Sequence, residues 1–103
     1  MYLIREVMYC KPGKVRPMVE KFLTMGKINE KHGLGKMRVM TDFCAEQYWT
    51  IVAEFEVASL QELEKMMRGE GQPAEATKEM ERIMKDYHEL VDHGRREVFK
   101  IES

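Results

Sequence analysis

Alternation between apolar and charged positions divides the chain into six segments in the order β-α-β-β-α-β. Tyr2 to Cys10 alternates as a strand and ends at Lys11-Pro12-Gly13, where proline lacks a ladder donor and suits the opening of a helix. From Lys14 to Lys31, Val15, Met18, Val19, Phe22, Met25 and Ile28 recur at helical spacing and form one apolar stripe. His32-Gly33-Leu34-Gly35 stops that helix, glycine being suited to the positive φ through which chains leave helices.

Lys36 to Cys44 and Tyr48 to Val57 predict a hairpin around a short Ala45-Glu46-Gln47 loop. With Cys44 opposite Tyr48, Phe43 meets Trp49, Thr41 meets Ile51, Val39 meets Ala53 and Met37 meets Phe55 on an apolar face. The other face sets Arg38 against Glu54 and Lys36 against Glu56 as ion pairs. A slip of one residue would scatter both sets, so the two patterns select one register.

Ser59-Leu60-Gln61-Glu62 is a capping box that opens a short helix running to Arg68. Gly69-Glu70-Gly71-Gln72-Pro73 interrupts it. A second piece from Ala74 to Asp92 carries Ala76, Met80, Ile83, Met84, Tyr87, Leu90 and Val91 on one stripe. Arg95 to Ile101 is the last strand. Paired antiparallel with the first, it sets Arg5 against Glu97, Glu6 against Arg96, Leu3 against Phe99 and Ile4 against Val98. These ion pairs make the terminal strands neighbours and predict a ferredoxin-like α+β fold, strand order 4-1-3-2, with both helices on one face.

Two helices cover only one face of a four-stranded sheet. The other face holds Tyr48, Val52 and Met40 among Lys36, Arg38, Glu54 and Glu56, half apolar and half charged. A second copy of the sheet would bury the apolar part and leave the charges paired, so a homodimer through this face is expected.

Composition narrows the classes. The 103 residues fit one domain, 1–103, and 44% hydrophobic content fits a soluble globular protein. Seventeen basic and eighteen acidic residues nearly cancel, so no basic field gathers nucleic acid or anionic lipid. No apolar run spans a bilayer, and the chain enters a strand at Tyr2 without a basic leader, which together predict a cytoplasmic protein. Cys10 and Cys44 have no metal-binding spacing, and the predicted strand order sets them at opposite ends of the sheet as reduced thiols. The ten methionines fall mostly at core spacing, although thioethers also line adaptable binding surfaces.

Tyr9-Cys10-Lys11-Pro12-Gly13-Lys14 closing the first strand, Glu54-Phe55-Glu56 before Ser59-Leu60, and Gly94-Arg95-Arg96-Glu97-Val98-Phe99 at the end carry a family resemblance. The chain resembles the dimeric α+β barrel superfamily, with NIPSNAP-like and antibiotic-biosynthesis-monooxygenase-like domains the nearest groups. That resemblance implies two protomers pressed sheet to sheet and a pocket between each sheet and its helices. Different members of the superfamily use this pocket for quinone-forming oxidation, isomerisation or haem breakdown. The haem-degrading set does not fit, because Trp49 is present but Asn29 lies on the first helix rather than the first strand.

Candidate ligand-binding residues are Trp49, His88, Tyr9, Arg5 and His32. Each also has a plainer role. Trp49 suits a core, His32 suits the negative end of the first helix, His88 suits a surface edge, and the charged strand residues suit structural ion pairs. His93 reads as a loop residue, too far round from His88 for shared metal ligation. No metal and no cofactor is expected. Gln47-Tyr48-Trp49-Thr50-Ile51-Val52 lacks the glycine-aromatic pattern of an RNA-recognition motif, and Lys11-Pro12-Gly13-Lys14 lacks the arginine of an acylphosphatase. Two functions remain. One is a dimer that binds a small hydrophobic or aromatic ligand or serves a stress-associated role. The other is a cofactor-independent monooxygenase or isomerase-like enzyme acting on a small aromatic metabolite. An enclosed pocket with a titrating group aimed into it favours the enzyme, and a closely packed interface favours the first.

Overall fold

Charge and apolar pairing across the strands govern the fold seen in a computed structural model of the chain, which describes residues 1–33, 35–70 and 73–103. The elements are β1 (Tyr2–Cys10), α1 (Val15–Lys31), β2 (Met37–Thr41), β3 (Thr50–Val57), α2 (Leu60–Met67), α3 (Ala74–Met84), a 3-10 turn (Tyr87–Glu89) and β4 (Val91–Lys100). The sheet is antiparallel with order β2-β3-β1-β4, the expected order read from the other edge, and the fold is ferredoxin-like. Arg5 faces Glu97, Glu6 faces Arg96, Leu3 faces Phe99 and Ile4 faces Val98, as the pairing of the terminal strands predicts. In the hairpin, Met37 faces Phe55, Arg38 faces Glu54, Val39 faces Ala53 and Thr41 faces Ile51, also as predicted.

The stripe of α1 packs Met18, Val19 and Phe22 onto Cys10, Ile51 and Ala53, and a smaller cluster joins Ile4, Val57 and Leu63. The capping box of α2 forms, with Ser59 Oγ accepting from the Glu62 amide at 3.2 Å. Its reciprocal arm differs by one residue, since Glu62 Oε2 accepts from the Ala58 amide rather than that of Ser59. Leu34, Gly71 and Gln72, in the predicted stop and break, lie outside the described residues.

Several expectations are corrected. The hairpin connection spans 42–49, not three residues, and Phe43 and Tyr48 lie in it fully and largely exposed rather than facing Trp49 and Cys44. The Asp42 carboxylate takes the Thr50 amide at 2.8 Å, which turns the chain out of the ladder before the apolar pairs can extend it. Lys36 precedes β2 and makes no ion pair with Glu56 among the described residues. Arg38 stands beside Glu54 without pairing to it, because Arg5 on the opposite neighbouring strand holds Glu54 at 2.7 Å.

The second helical piece ends at Met84, well before Asp92. Lys21 Nζ donates to the carbonyls of Ile83 at 2.6 Å and Lys85 at 3.1 Å, and Asp86 turns the chain at a φ of 69°. β4 therefore begins at Val91, and His93 is a strand residue opposite Tyr9 rather than part of a loop. Cys10 and Cys44 lie at the same end of the sheet, since the end of β1 runs beside the 42–49 connection, and both thiols are free. Among the described residues no helix is long and apolar enough to cross a membrane.

β4 lies close against β1 because position 94 carries no side chain. A Cβ there would stand 2.6 Å from the Val7 carbonyl oxygen and 3.3 Å from the Met8 Cα. Gly94→Ala is expected to cost about 1–3 kcal/mol, the range for overpacking. Gly26, inside α1, has room, since its Cβ would meet only Met37 at 3.7 Å. Gly26→Ala is expected to stabilise by about 0.5–1 kcal/mol. Urea denaturation of both variants checks the pair of opposite signs.

Candidate functional site

Parity along the strands places Leu3, Arg5, Val7 and Tyr9 of β1 on the open face of the sheet, and Ile4, Glu6, Met8 and Cys10 beneath the helices. Each side has a cavity.

On the open face a cavity of about 300 Å³ is lined by Arg5, Val7, Tyr9, Met40, Val52, Glu54 and Arg95, with Ala45, Glu46 and Gln47 of the connection at one end. Its charges are matched. Arg5 Nε meets Glu54 at 2.7 Å and its Nη1 lies 3.7 Å from Glu97, while Arg95 Nε meets Glu97 at 3.0 Å. Arg95 also donates to the Tyr9 hydroxyl. The hydrogen bonds to Glu97 and then Tyr9 hold the Arg95 guanidinium still more firmly in its cationic form. His93 packs against Tyr9 with ring centres 4.7 Å apart and planes tilted by 40°, and shares a 3.0 Å contact with Asp92.

Under the helices a cavity of about 360 Å³ lies between the four-stranded sheet and the helical layer. Met8, Met25, Met37, Met66, Met67 and Met84 line it with Phe22, Phe55, Leu63 and Tyr87. Six of the chain's ten methionines thus meet at one place. Met66 and Met67 are exposed at its rim rather than buried in the core. Glu6 and Arg96 also line this cavity and are hydrogen-bonded to each other. They are a charged pair on a side of the sheet where neighbouring positions carry Ile4, Met8, Ile51 and Ala53.

The structure brings together two of the five candidate ligand residues, Tyr9 and Arg5, at the open-face cavity. The other three line neither cavity. Trp49 is 43% exposed at a φ of 60° instead of forming core, a conformation uncommon for a bulky residue and tied down by Cys10 N–H donating to its carbonyl at 2.8 Å. His88 is exposed on the 3-10 turn with its ring 4.0 Å from that of Tyr87. His32 ends α1 with its amide donating to the Ile28 carbonyl, and its buried Nε2 meets no partner among the described residues. Among those residues no cluster of three or more metal-ligating side chains occurs.

What the sequence reading missed is the gathering of the methionines and the placement of the Glu6–Arg96 pair inside a cavity. The signal was available in the parity of β1, where a carboxylate sits between two core positions, Ile4 and Met8.

Burial, and then the charge of Asp42, pushes the Cys10 thiol above its ordinary range, whereas Cys44 is exposed. Titration of the folded protein with a thiol reagent at neutral pH should therefore label Cys44 rapidly and Cys10 only on unfolding. Equal rates for the two would contradict this placement.

No protein-family model and no curated protein matches the sequence. Solved structures do match. An uncharacterised NIPSNAP-like domain protein from Burkholderia xenovorans superposes with a TM-score of 0.72 at 13% identity, covering 99% of this chain and 85% of that one. A candidate antibiotic biosynthesis monooxygenase from Deinococcus radiodurans gives 0.68 at 8% identity, covering 100% and 94%. A dimeric protein of unknown function and ferredoxin-like fold from Bacteroides fragilis gives 0.60 at 11% identity, covering 97% and 96%. The chain shares the ferredoxin-like fold expected from its strand pattern with NIPSNAP-like and antibiotic-monooxygenase-like proteins, the groups that its resemblance at Tyr9–Lys14, 54–60 and Gly94–Phe99 points to.

Proposed function

We propose that the chain binds a small hydrophobic or aromatic ligand in the cavity between sheet and helices, as a homodimer joined through the open sheet faces. The observation that carries the ligand reading is the methionine-lined cavity of about 360 Å³. Unbranched thioether side chains adapt to varied apolar shapes, and the volume lies within the span of about 300–1,000 Å³ of small-molecule sites. Exposed methionines at the rim give a ligand a way in.

The dimer reading rests on the other face. Leu3, Met40, Val52 and Phe99 stand there among Arg5, Glu54, Arg95 and Glu97, whose charges already satisfy one another. Apolar groups beside neutralised ion pairs lose little on desolvation when a like surface covers them. The Bacteroides fragilis protein, of the same fold, is described as dimeric.

A second reading, a cofactor-independent monooxygenase or isomerase-like enzyme, draws support from Glu6, a titrating group in the cavity wall. Its carboxylate is tied to a guanidinium and among the described residues no histidine lines the cavity, so binding is the preferred function. Turnover of an aromatic hydroxy compound under air, abolished by Glu6→Gln, would reverse that preference.

Two measurements test the proposal. N-phenyl-1-naphthylamine, an uncharged probe that fluoresces in apolar sites, should bind the protein, and Met66→Trp at the rim should weaken it on the order of tenfold, about 1.4 kcal/mol. Phe43→Ala, in the exposed connection, should leave binding unchanged. Light scattering should give the mass of two chains, falling to one in a folded Val52→Glu variant. A one-chain mass for the unaltered protein would sink the dimer.

A further inference from the structure

Among the described residues the helix-side cavity is charged at one spot, and that spot is electrically neutral only as a pair. Glu6 Oε1 accepts from Arg96 Nε, and among the described residues neither side chain makes another side-chain hydrogen bond. Glu6 Oε2 remains as an acceptor and the Arg96 Nη groups remain as donors, on two adjoining residues that both line the cavity. The Glu6 side chain is 18% exposed and that of Arg96 44%, so the guanidinium reaches solvent at the cavity mouth, while the carboxylate without its counter-charge would be left facing methionines. Among the described residues the other elements around the cavity present Phe22, Leu63, Met66 and Met84 but no charged side chain, and the Tyr87 phenol is the one further titratable group.

Charge neutrality then dictates what can enter. An anion arriving at Arg96 would compete with Glu6 and leave one negative charge uncompensated in a methionine-lined space. An uncharged molecule bearing a hydroxyl beside a second oxygen meets both free groups at once. Its O–H donates to Glu6 Oε2, and its other oxygen accepts from Arg96.

We infer that the cavity selects apolar ligands carrying a protonated oxygen acid, such as a phenol, an enol or an un-ionised carboxylic acid, and that an acid ionised in water enters together with one proton. The proton balance closes. Free anion plus one proton plus the ion pair gives either the neutral acid on the intact pair or the anion on Arg96 beside a protonated Glu6, and the net charge of the cavity stays at zero in both. This inference rests on the cavity being a ligand site, and its test separates the two.

Naphthalene, 2-naphthol and 2-naphthoate serve as probes, measured by titration calorimetry with the full chain between about pH 6 and about pH 8. The expected order at the upper end is 2-naphthol tightest. The naphthoate affinity should fall about tenfold per pH unit, the slope for one proton taken up, while naphthalene stays level. In Glu6→Gln, which leaves Arg96 a lone cation, naphthoate should bind independently of pH and more tightly than in the unaltered protein. If Glu6→Gln does not fold, the slope in the unaltered protein still decides. A naphthoate affinity that is flat with pH, or naphthol binding no tighter than naphthalene, overturns the inference and leaves the cavity reading standing. Failure of all three probes, naphthalene included, overturns both.

Discussion

Arg5 and Glu6, adjacent in the central strand, are the step on which the architecture turns. Successive strand residues point to opposite faces, so this dipeptide sends one cation to the open face and one anion beneath the helices. Each needs a partner on a neighbouring strand, since charges within a sheet are costly unless matched. Arg5 finds Glu54 on β3 and Glu97 on β4, and Glu6 finds Arg96 on β4. Two opposite charges in adjacent residues therefore define the register of β4 twice and that of β3 once. A slip of β4 by one residue would set Arg5 against Arg96 or Glu6 against Glu97, and a slip of β3 would set Arg5 against Ala53 or Phe55.

Helical cover follows from what remains. α1 buries Met18, Val19, Phe22 and Ile28, of which Met18, Val19 and Phe22 close the core over Cys10, Ile51 and Ala53. The second layer is in two pieces, each burying little, with Leu63 the buried residue of α2 and Ala76 that of α3. Short helices with single buried anchors cannot fill the space above Glu6 and Arg96, and the gap is edged with methionines, whose flexible side chains suit a surface without a fixed partner. The cavity is thus a consequence of the broken helix and of the inward carboxylate beneath it.

Much of this was legible in the sequence wherever two independent patterns agreed. Both hairpin and terminal-strand registers combined apolar alternation with charge matching; the terminal pairing stands for the four pairs expected, and the hairpin register stands from Met37–Phe55 to Thr41–Ile51. Where a single pattern was extrapolated, it overran. The helical stripe through Leu90 and Val91 also fits a 3-10 turn followed by a strand, and only Lys21 capping Ile83 and Lys85 decides between them, a contact 62 residues apart that periodicity does not encode. The alternation through Phe43 and Trp49 was broken by the Asp42 carboxylate taking a backbone amide. The Arg38–Glu54 pair was sound as neighbours but lost to Arg5, because a central strand offers each carboxylate two competing cations. Of the candidate site, Tyr9 and Arg5 were found together. The histidines and Trp49 were singled out by residue type, which says nothing of where the chain carries them.

Likeness at 8–13% identity to NIPSNAP-like and monooxygenase-like structures fits this division. Alternation, caps and the order of elements can be met by many sequences, so the fold persists while side chains change. The interior of the cavity has less latitude, because one inward charge has to be matched within it. Yet in this chain the two are coupled. Glu6 cannot be moved to the open face without moving Arg5 to the cavity, and Arg96 cannot leave β4 without stranding Glu6. The polarity of the site is fixed by the same register that holds the terminal strands together.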